Sequence, residues 1–467
     1  MTDSMARIVV TVGSATMTFA AALLVWWTIR GGGPAAARTD TDGPLNVLVV
    51  TWDSVRADRL QAYGATRETS PWLAEAATDA IVFERAYSPR TWSLAAHAAL
   101  LTGLPAETTG IDRAWPWLDE RHLTLAEHFG ANGYRTRAWV ANPLLGASNV
   151  LQGFTERTMS FAASHRGEAG RATAAKLVRG DRSQELSPDW PAPRGGRPDQ
   201  RWPDRFKDAA PLFVTDLLDW IDGTPATPFF AFVDLAEARR PRLPSAKARQ
   251  AVLGDPTRIL RGLKTDQSRA RMRRADSRRP RYAPHEIEAL RDVYDSTLLD
   301  LDTATASLFE GLAERNLLQS TIVVLTSDVG APLGDHDRFH RRDEPWESNV
   351  HVPLVVWHPD LAAEHREAPV STRDLFGTLC RLASLPVPEG RANWWDGPTR
   401  AIIGFPDGHA LVSGEHKLVA PSDGEPEVFD VVADPGETAH VVRHLCLSPG
   451  QELLLQPRLD LGAVDGR

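Results

Sequence analysis

The run NVLVVTW at positions 46–52 is apolar on both faces of an extended chain, and an acid, Asp53, follows it at once. A strand with no polar face has to be covered on both sides, which is the condition of a buried parallel strand rather than of a half-exposed hairpin. Two further runs of this kind occur at 229–233 and 321–325, and each is followed within a few positions by an acid, Asp234 and Asp328. Helical patterns lie between them, at 70–80, 123–132, 210–221 and 284–312. Strands alternating with helices predict an α/β fold with a large, mostly parallel central sheet flanked by helices. In such sheets ligands bind beyond the carboxyl ends of the strands, which is where the three aspartates fall.

A chain of 467 residues has room for a large core and a second, smaller lobe. Its formal charge of −9 argues against a general nucleic-acid binder. The two cysteines, Cys380 and Cys446, are far apart and lack the paired spacing of a zinc site; two buried thiols or one disulfide both fit them. Residues 8–29 are apolar or small without a charge. At about 1.5 Å per residue they are long enough to cross a bilayer core. Trp26 and Trp27 sit at the end of this run, where interfacial aromatics belong. Residues 1–30 therefore read as a transmembrane anchor or signal-anchor, with cleavage near Ala35–Ala37 as the rival reading. Residues 31–44 form a flexible stalk. The main domain is then expected at 45–390, outside the cytoplasm, with insertions at about 164–207 and 239–282, and a C-terminal subdomain and tail follow at 391–467. The second insertion is strongly basic: a solvated loop on one reading, a polycationic flap for an anionic substrate or lipid on the other.

An aspartate at a strand end can ligate a hard cation or cap the next helix. Two of them, Asp53 and Asp328, at the ends of two parallel strands can share one ion.

The local context carries more. The run NVLVVTWDSVRADRLQAYG, followed by SPWL and FERAY, resembles the opening of the sulfatase family, in the alkaline-phosphatase superfamily. TWSLAAHAALLTGLPAETTG resembles the segment bearing that family's nucleophile. TIVVLTSDVGAPLGDHDRF resembles its second metal-binding stretch. WESNVHVPLVVWHP, STRDLFGTL and GEHKLVAPSDGEPEVFDVVADPGE follow in the family's own order, so that the likeness covers roughly 45–440. It implies an alkaline-phosphatase-like sandwich with a smaller C-terminal α+β subdomain. It also implies a metal-dependent hydrolase of sulfate or phosphate esters, with Asp53, Asp328 and the Ser93 oxygen as metal ligands. Ser93 takes the nucleophile position and His97 the Arg/His position after it. His336 is a candidate proton donor or substrate contact, shared with His340, and both also read as surface-loop histidines. The implied cofactor is a divalent ion, Ca²⁺ first, with Mg²⁺ or Mn²⁺ as alternatives. The implied ligand is a sulfated or phosphorylated small molecule, glycan or lipid head group.

Several positions depart from the pattern. The nucleophile segment reads Ser-Leu-Ala-Ala-His, and an unmodified Ser93 is expected in place of formylglycine. Val329 stands where Asn or His would supply a ligand, and Ser54 where many members have a second Asp, so the cation is expected to bind weakly. Glu237 to Arg242 replaces an Asp-Pro-His-x-Pro-Tyr segment. Arg239 thereby puts a fixed positive charge, a substrate-binding candidate, where a general acid or base would be. ANPLL at 141–145 stands where many members have Gly-Lys-Trp-His. Lys417 and Asp430 read as structural. A catalytically silent protein binding an anionic ligand or partner, and a membrane phosphoryl or phosphoglycerol transferase using Ser93, are the alternatives to a hydrolase.

Overall fold

Five strands running side by side in one direction decide where this protein's chemistry can sit. The computed structural model describes residues 43–159, 209–223, 227–240, 242–252, 254–267, 282–339, 343–395 and 399–441. Across its eight-stranded sheet the order is Glu364–Arg366, Ile81–Phe83, Leu354–Trp357, Thr321–Thr326, Asn46–Trp52, Phe229–Leu235, Arg135–Val140 and Glu156–Met159. The last five are parallel, and Leu354–Trp357 is antiparallel to both of its neighbours. The three apolar runs are thus strands at the centre of a mostly parallel sheet.

The alternation within Asn46–Trp52 explains the sandwich. Val47 and Val49 join a core with the helices Ser93–Thr102, Leu125–Ala131 and Leu375–Leu382. Leu48, Val50 and Trp52 join a second core on the opposite face, with Ala209–Asp222 and Pro284–Glu314. Burying both faces of a strand removes it from water at about 25 cal/mol per Å² of apolar surface, which is why no polar residue interrupts the run before Thr51. Trp52 adds a hydrogen bond from its indole nitrogen to Thr305 Oγ1 of the long helix, at 3.1 Å.

Where it is described, the basic stretch 239–282 is not a solvated loop. It contains the helices Ala246–Val252 and Pro256–Gln267, both packed against Pro284–Glu314. Arg242 and Arg249 are buried. The Arg242 guanidinium pairs with Asp266 at 2.9 Å and lies 4.7 Å above the Tyr294 ring. Its charges are used in packing because buried acids wait for them, a feature that composition cannot reveal. Residues 268–281, the insertion at 164–207 and the N-terminal segments fall outside the described residues. Among those described, no helix is long and apolar enough to cross a membrane. Cys380 is buried, and burial pushes its thiol up to about 12; Cys446 lies outside the described residues.

The smaller lobe is an antiparallel sheet of Arg400–Phe405, Gly408–Ser413, His416–Pro421 and Glu427–Asp430. Its core includes Tyr87 and Val350 of the main domain. One buried cation fastens the two parts. Lys417 Nζ donates to the Pro345 carbonyl at 2.8 Å and pairs with Glu347 at 2.9 Å and Glu437 at 2.5 Å. Burial and the Glu347 charge, opposed by Lys417, push Glu437 up to about 7.

Lys417→Met leaves two buried carboxylates without a cation. It should cost about 3–5 kcal/mol in urea unfolding, whereas an exposed lysine so replaced costs little. The folded protein also holds a proton on Glu437 more tightly than the unfolded chain does. Stability from this group is therefore present below the ordinary Glu range and is lost as pH rises through about 7. The fall in urea midpoint between pH 4.5 and 7 should be shallower in Glu437→Gln.

Candidate active site

Register brings the site together. Thr51 lies opposite both Asp234 and Thr326, and Val140 lies opposite Asp234. The residues just beyond these positions therefore converge at one edge: Asp53, Asp328 and Asn142, with Asp234 inside its own strand. The strand around Asp234 runs to Leu235, two residues further than the apolar run suggests. The reason is that its carboxylate is committed to neighbours: it accepts from Thr51 Oγ1 at 3.1 Å and from the Asn142 amide at 2.9 Å.

The turn after Asp53 is held in a costly conformation. Ser54 has φ of 69°, a left-handed conformation that disfavours a side chain by roughly 1–2 kcal/mol. Three contacts compensate. The Ser54 amide donates to Asp328 Oδ1 at 2.9 Å, and its hydroxyl donates to Asp53 Oδ1. The Tyr294 hydroxyl donates to the Ser54 carbonyl at 3.0 Å while accepting from the Arg56 amide at 2.9 Å. On the other strand, Gly330 lets the loop press against its neighbour: a Cβ there would lie 2.2 Å from the Ser348 carbonyl oxygen. The Gly330 amide instead donates to the Asn349 carbonyl at 2.7 Å, which fixes Asp328 two residues earlier.

Ser93 is the first residue of Ser93–Thr102, where unpaired amides and the helix dipole favour negative charge. Every residue of that helix is buried, four of them alanines, so it lies close against the sheet. Asn142 Nδ2 donates to Ser93 Oγ at 2.8 Å and to Asp53 Oδ2 at 2.7 Å. Its Oδ1 accepts from the Leu144 amide at 3.0 Å, which settles which end of the side chain faces the site. His97 lies one turn after Ser93, fully buried. Its Nδ1 donates to the Ser93 carbonyl at 2.9 Å and is 3.6 Å from Asp328 Oδ2. Its Nε2 faces Asp234 Oδ1 at 3.3 Å, off the line of a strong hydrogen bond but within strong electrostatic reach. Burial works against a charged ring, yet Asp234, Asp328 and Asp53 outweigh it and raise His97 to about 9. Burial and the charge of Asp53 push Asp328 up, against His97, the Ser93 hydroxyl and the Ser54 amide. Arg239 Nη1 pairs with Asp53 Oδ2 at 3.0 Å.

The structure brings Asp53, Ser93, His97, Asp328 and Arg239 together in one cluster. His336 is not part of it. The ring is stacked on Trp346 at 4.0 Å between centroids, and its charged surroundings are Asp335, Lys417, Glu344 and Asp434. A φ of 50° turns it there, toward the smaller lobe. His340 is outside the described residues. Asn142 is the member that sequence reasoning did not name as a site residue, although its segment, ANPLL at 141–145, stands where many members have Gly-Lys-Trp-His.

The donor set does not fit a resident divalent cation. Such an ion needs about six or more oxygen ligands. Asp53 already accepts from Ser54, Asn142 and Arg239, and Asp328 Oδ1 accepts from Ser54. Asn142 presents its amino group, not its oxygen. Val329 is buried and brings no donor. Among the described residues no group of three or more His, Cys, Asp or Glu is placed to hold a metal.

Comparisons with known proteins point one way. The family model described as Sulfatase matches residues 45–385. The chain is 25% identical to arylsulfatase K of Rattus norvegicus over 34% of this chain and 33% of that protein. It is 24% identical to an ulvan-active sulfatase of Formosa agariphila over 74% of this chain and 63% of that protein. The matches thus span a third of the first relative and under two thirds of the second. In fold it is similar to the phosphonate monoester hydrolase of Agrobacterium radiobacter, with a TM-score of 0.61 at 20% identity, covering 85% of this chain and 91% of the other.

Tyr294→Phe removes the hydroxyl that closes the Ser54 turn and strands a buried amide and carbonyl. It should cost about 2–3 kcal/mol in urea unfolding, against well under 1 kcal/mol for a Tyr→Phe change at an exposed hydroxyl.

Proposed function

The chain belongs to the sulfatase family, and from that premise we propose that it is a sulfuric-ester hydrolase with the unmodified hydroxyl of Ser93 as nucleophile. The observation that carries the reading is the placement of Ser93 Oγ. It lies at a helix N-terminus, oriented by Asn142 Nδ2 at 2.8 Å, with Asp328 close enough for the Ser93 hydroxyl to bear on its ionisation. A serine hydroxyl is a poor nucleophile until a base takes its proton. Burial and Asp53 raise Asp328, which makes its carboxylate a better proton acceptor than an ordinary aspartate.

In the proposed reaction Ser93 Oγ attacks the sulfur of a sulfate monoester and passes its proton to Asp328. The bond from sulfur to the ester oxygen breaks, and the alcohol leaves with a proton from water. The hydroxide left by that water attacks the sulfur of the serine sulfate, hydrogen sulfate leaves, and the Ser93 oxygen takes its proton back from Asp328. Arg239 and the amides at the start of Ser93–Thr102 face the negative charge that gathers on the sulfuryl oxygens. His97 touches Asp234, Asp328 and the Ser93 backbone, so in this scheme it positions and neutralises those groups from below. The relatives named for ulvan and for aryl sulfates support a sulfated carbohydrate or aryl ester as the substrate class. The apolar segment at 8–29 is long enough to hold the protein at a membrane.

A second reading, a silent protein that binds an anion without turning it over, is favoured by one contact: Arg239 is already paired with Asp53. Steady-state hydrolysis of a panel of aryl and carbohydrate sulfate esters separates the two. Ser93→Ala should lower kcat by about 10³-fold or more while leaving ester binding within a few-fold. Binding without turnover in the unaltered protein, unchanged in Ser93→Ala, would sink the hydrolase reading in favour of the silent one.

A further inference from the structure

The cluster at the sheet edge has the outline of a cation site, with two strand-end carboxylates converging beside a hydroxyl, yet hydrogen-bond donors already occupy the Asp53 carboxylate and Asp328 Oδ1, and only Asp328 Oδ2 of the two acids is left without a hydrogen-bond partner. Arg239 Nη1 reaches Asp53 Oδ2 at 3.0 Å, and Asn142 Nδ2 reaches the same oxygen at 2.7 Å and Ser93 Oγ at 2.8 Å. A metal ion requires lone pairs aimed at it; here N–H groups point at the oxygens that would supply them. The Asn142 amide cannot simply turn over, because its oxygen holds the Leu144 amide at 3.0 Å at the start of a helical turn. Val329 is fully buried beside Asp328 and offers nothing to a cation.

We propose that the guanidinium of Arg239 takes the place of a divalent metal ion in this protein, bound to Asp53 as a built-in cation, so that the folded site does not retain Ca²⁺, Mg²⁺ or Mn²⁺. The positive charge is supplied by the chain itself. It sits on a side chain 23% exposed whose partner carboxylate is fully buried, so the guanidinium is anchored on its inner side. A guanidinium is planar and carries five donors. Two edges of it can therefore serve a carboxylate and a sulfuryl or phosphoryl group together, which an ammonium does less well. The inference rests on the Ser93-centred site proposed above but not on its turning over an ester.

The full chain is purified, stripped with EDTA and dialysed, and its metal content is measured by elemental analysis. Ca²⁺, Mg²⁺ and Mn²⁺ are then titrated by calorimetry into the unaltered protein, Arg239→Ala and Arg239→Lys. The unaltered protein should carry no stoichiometric metal before stripping. It should also show no saturable binding below about 1 mM, the weak end of oxygen-ligated cation sites. Arg239→Ala removes the competing charge and should bind at least roughly tenfold more tightly than the unaltered protein, with Arg239→Lys in between. Stoichiometric metal in the unaltered protein, or saturation in the micromolar range, overturns the proposal. So does an Arg239→Ala protein that folds and binds no better. If Arg239→Ala does not fold, the unaltered protein alone decides. Ester hydrolysis that persists in EDTA supports both readings. No hydrolysis together with no metal binding removes the hydrolase and leaves the guanidinium site. Hydrolysis that depends on a tightly bound ion does the reverse.

Discussion

Three carboxylates, Asp53, Asp234 and Asp328, are buried together at the ends of three adjacent parallel strands, and most of the local structure answers that charge. Taking an ionised carboxylate out of water costs several kcal/mol unless opposite charge and hydrogen bonds compensate. Each acid has its own compensation. Thr51 and the Asn142 amide hold Asp234, Ser54 and Arg239 hold Asp53, and the Ser54 amide holds Asp328. The imidazole of His97 stands among all three. The left-handed turn at Ser54 is tolerated because that conformation delivers its amide to one aspartate and its hydroxyl to another.

Parallel topology makes this arrangement unavoidable once the strands are chosen. A strand buried on both faces can place polar groups only at its ends, and parallel neighbours put their carboxyl ends on one edge. That part was legible in the sequence: NVLVVTW, the run at 229 and the run at 321 carried both the sheet centre and the three acids. Ser93 and His97 were legible from the order of motifs around them. Asn142 was not, because its strand, Arg135–Val140, is interrupted by two arginines and does not read as a buried run. Those arginines are spared by position: Arg137 pairs with Asp216 at 2.6 Å at the sheet's margin.

The arginines of 239–282 show the limit more sharply. From composition alone they are surface charge. In the fold Arg242 is a buried stacking partner of Tyr294, and Arg239, three residues away, reaches Asp53 at the sheet edge. The two differ in which acid each meets, and both acids, Asp266 and Asp53, are distant in sequence. His336 errs in the opposite direction: its motif suggested chemistry, and a positive φ with a flat aromatic partner turns it toward the smaller lobe. A motif fixes the order of residues along the chain, while the last turn of a loop decides where a side chain faces.

Val329 and Arg239 belong together in one physical account. An oxygen donor at 329 is useful only if a cation stands within reach to accept its lone pair. Where a guanidinium already neutralises Asp53, an amide at 329 would be a buried polar group without a partner and would cost about 1–3 kcal/mol. A valine there removes that cost and adds apolar packing beside Asp328. Conversely, without Arg239 the valine would leave Asp53 and Asp328 facing each other with too few donors for a metal and too little positive charge for themselves. The two side chains are 90 positions apart and need not touch. Each makes the other affordable, because both answer the same question of what balances the carboxylates beside Ser93.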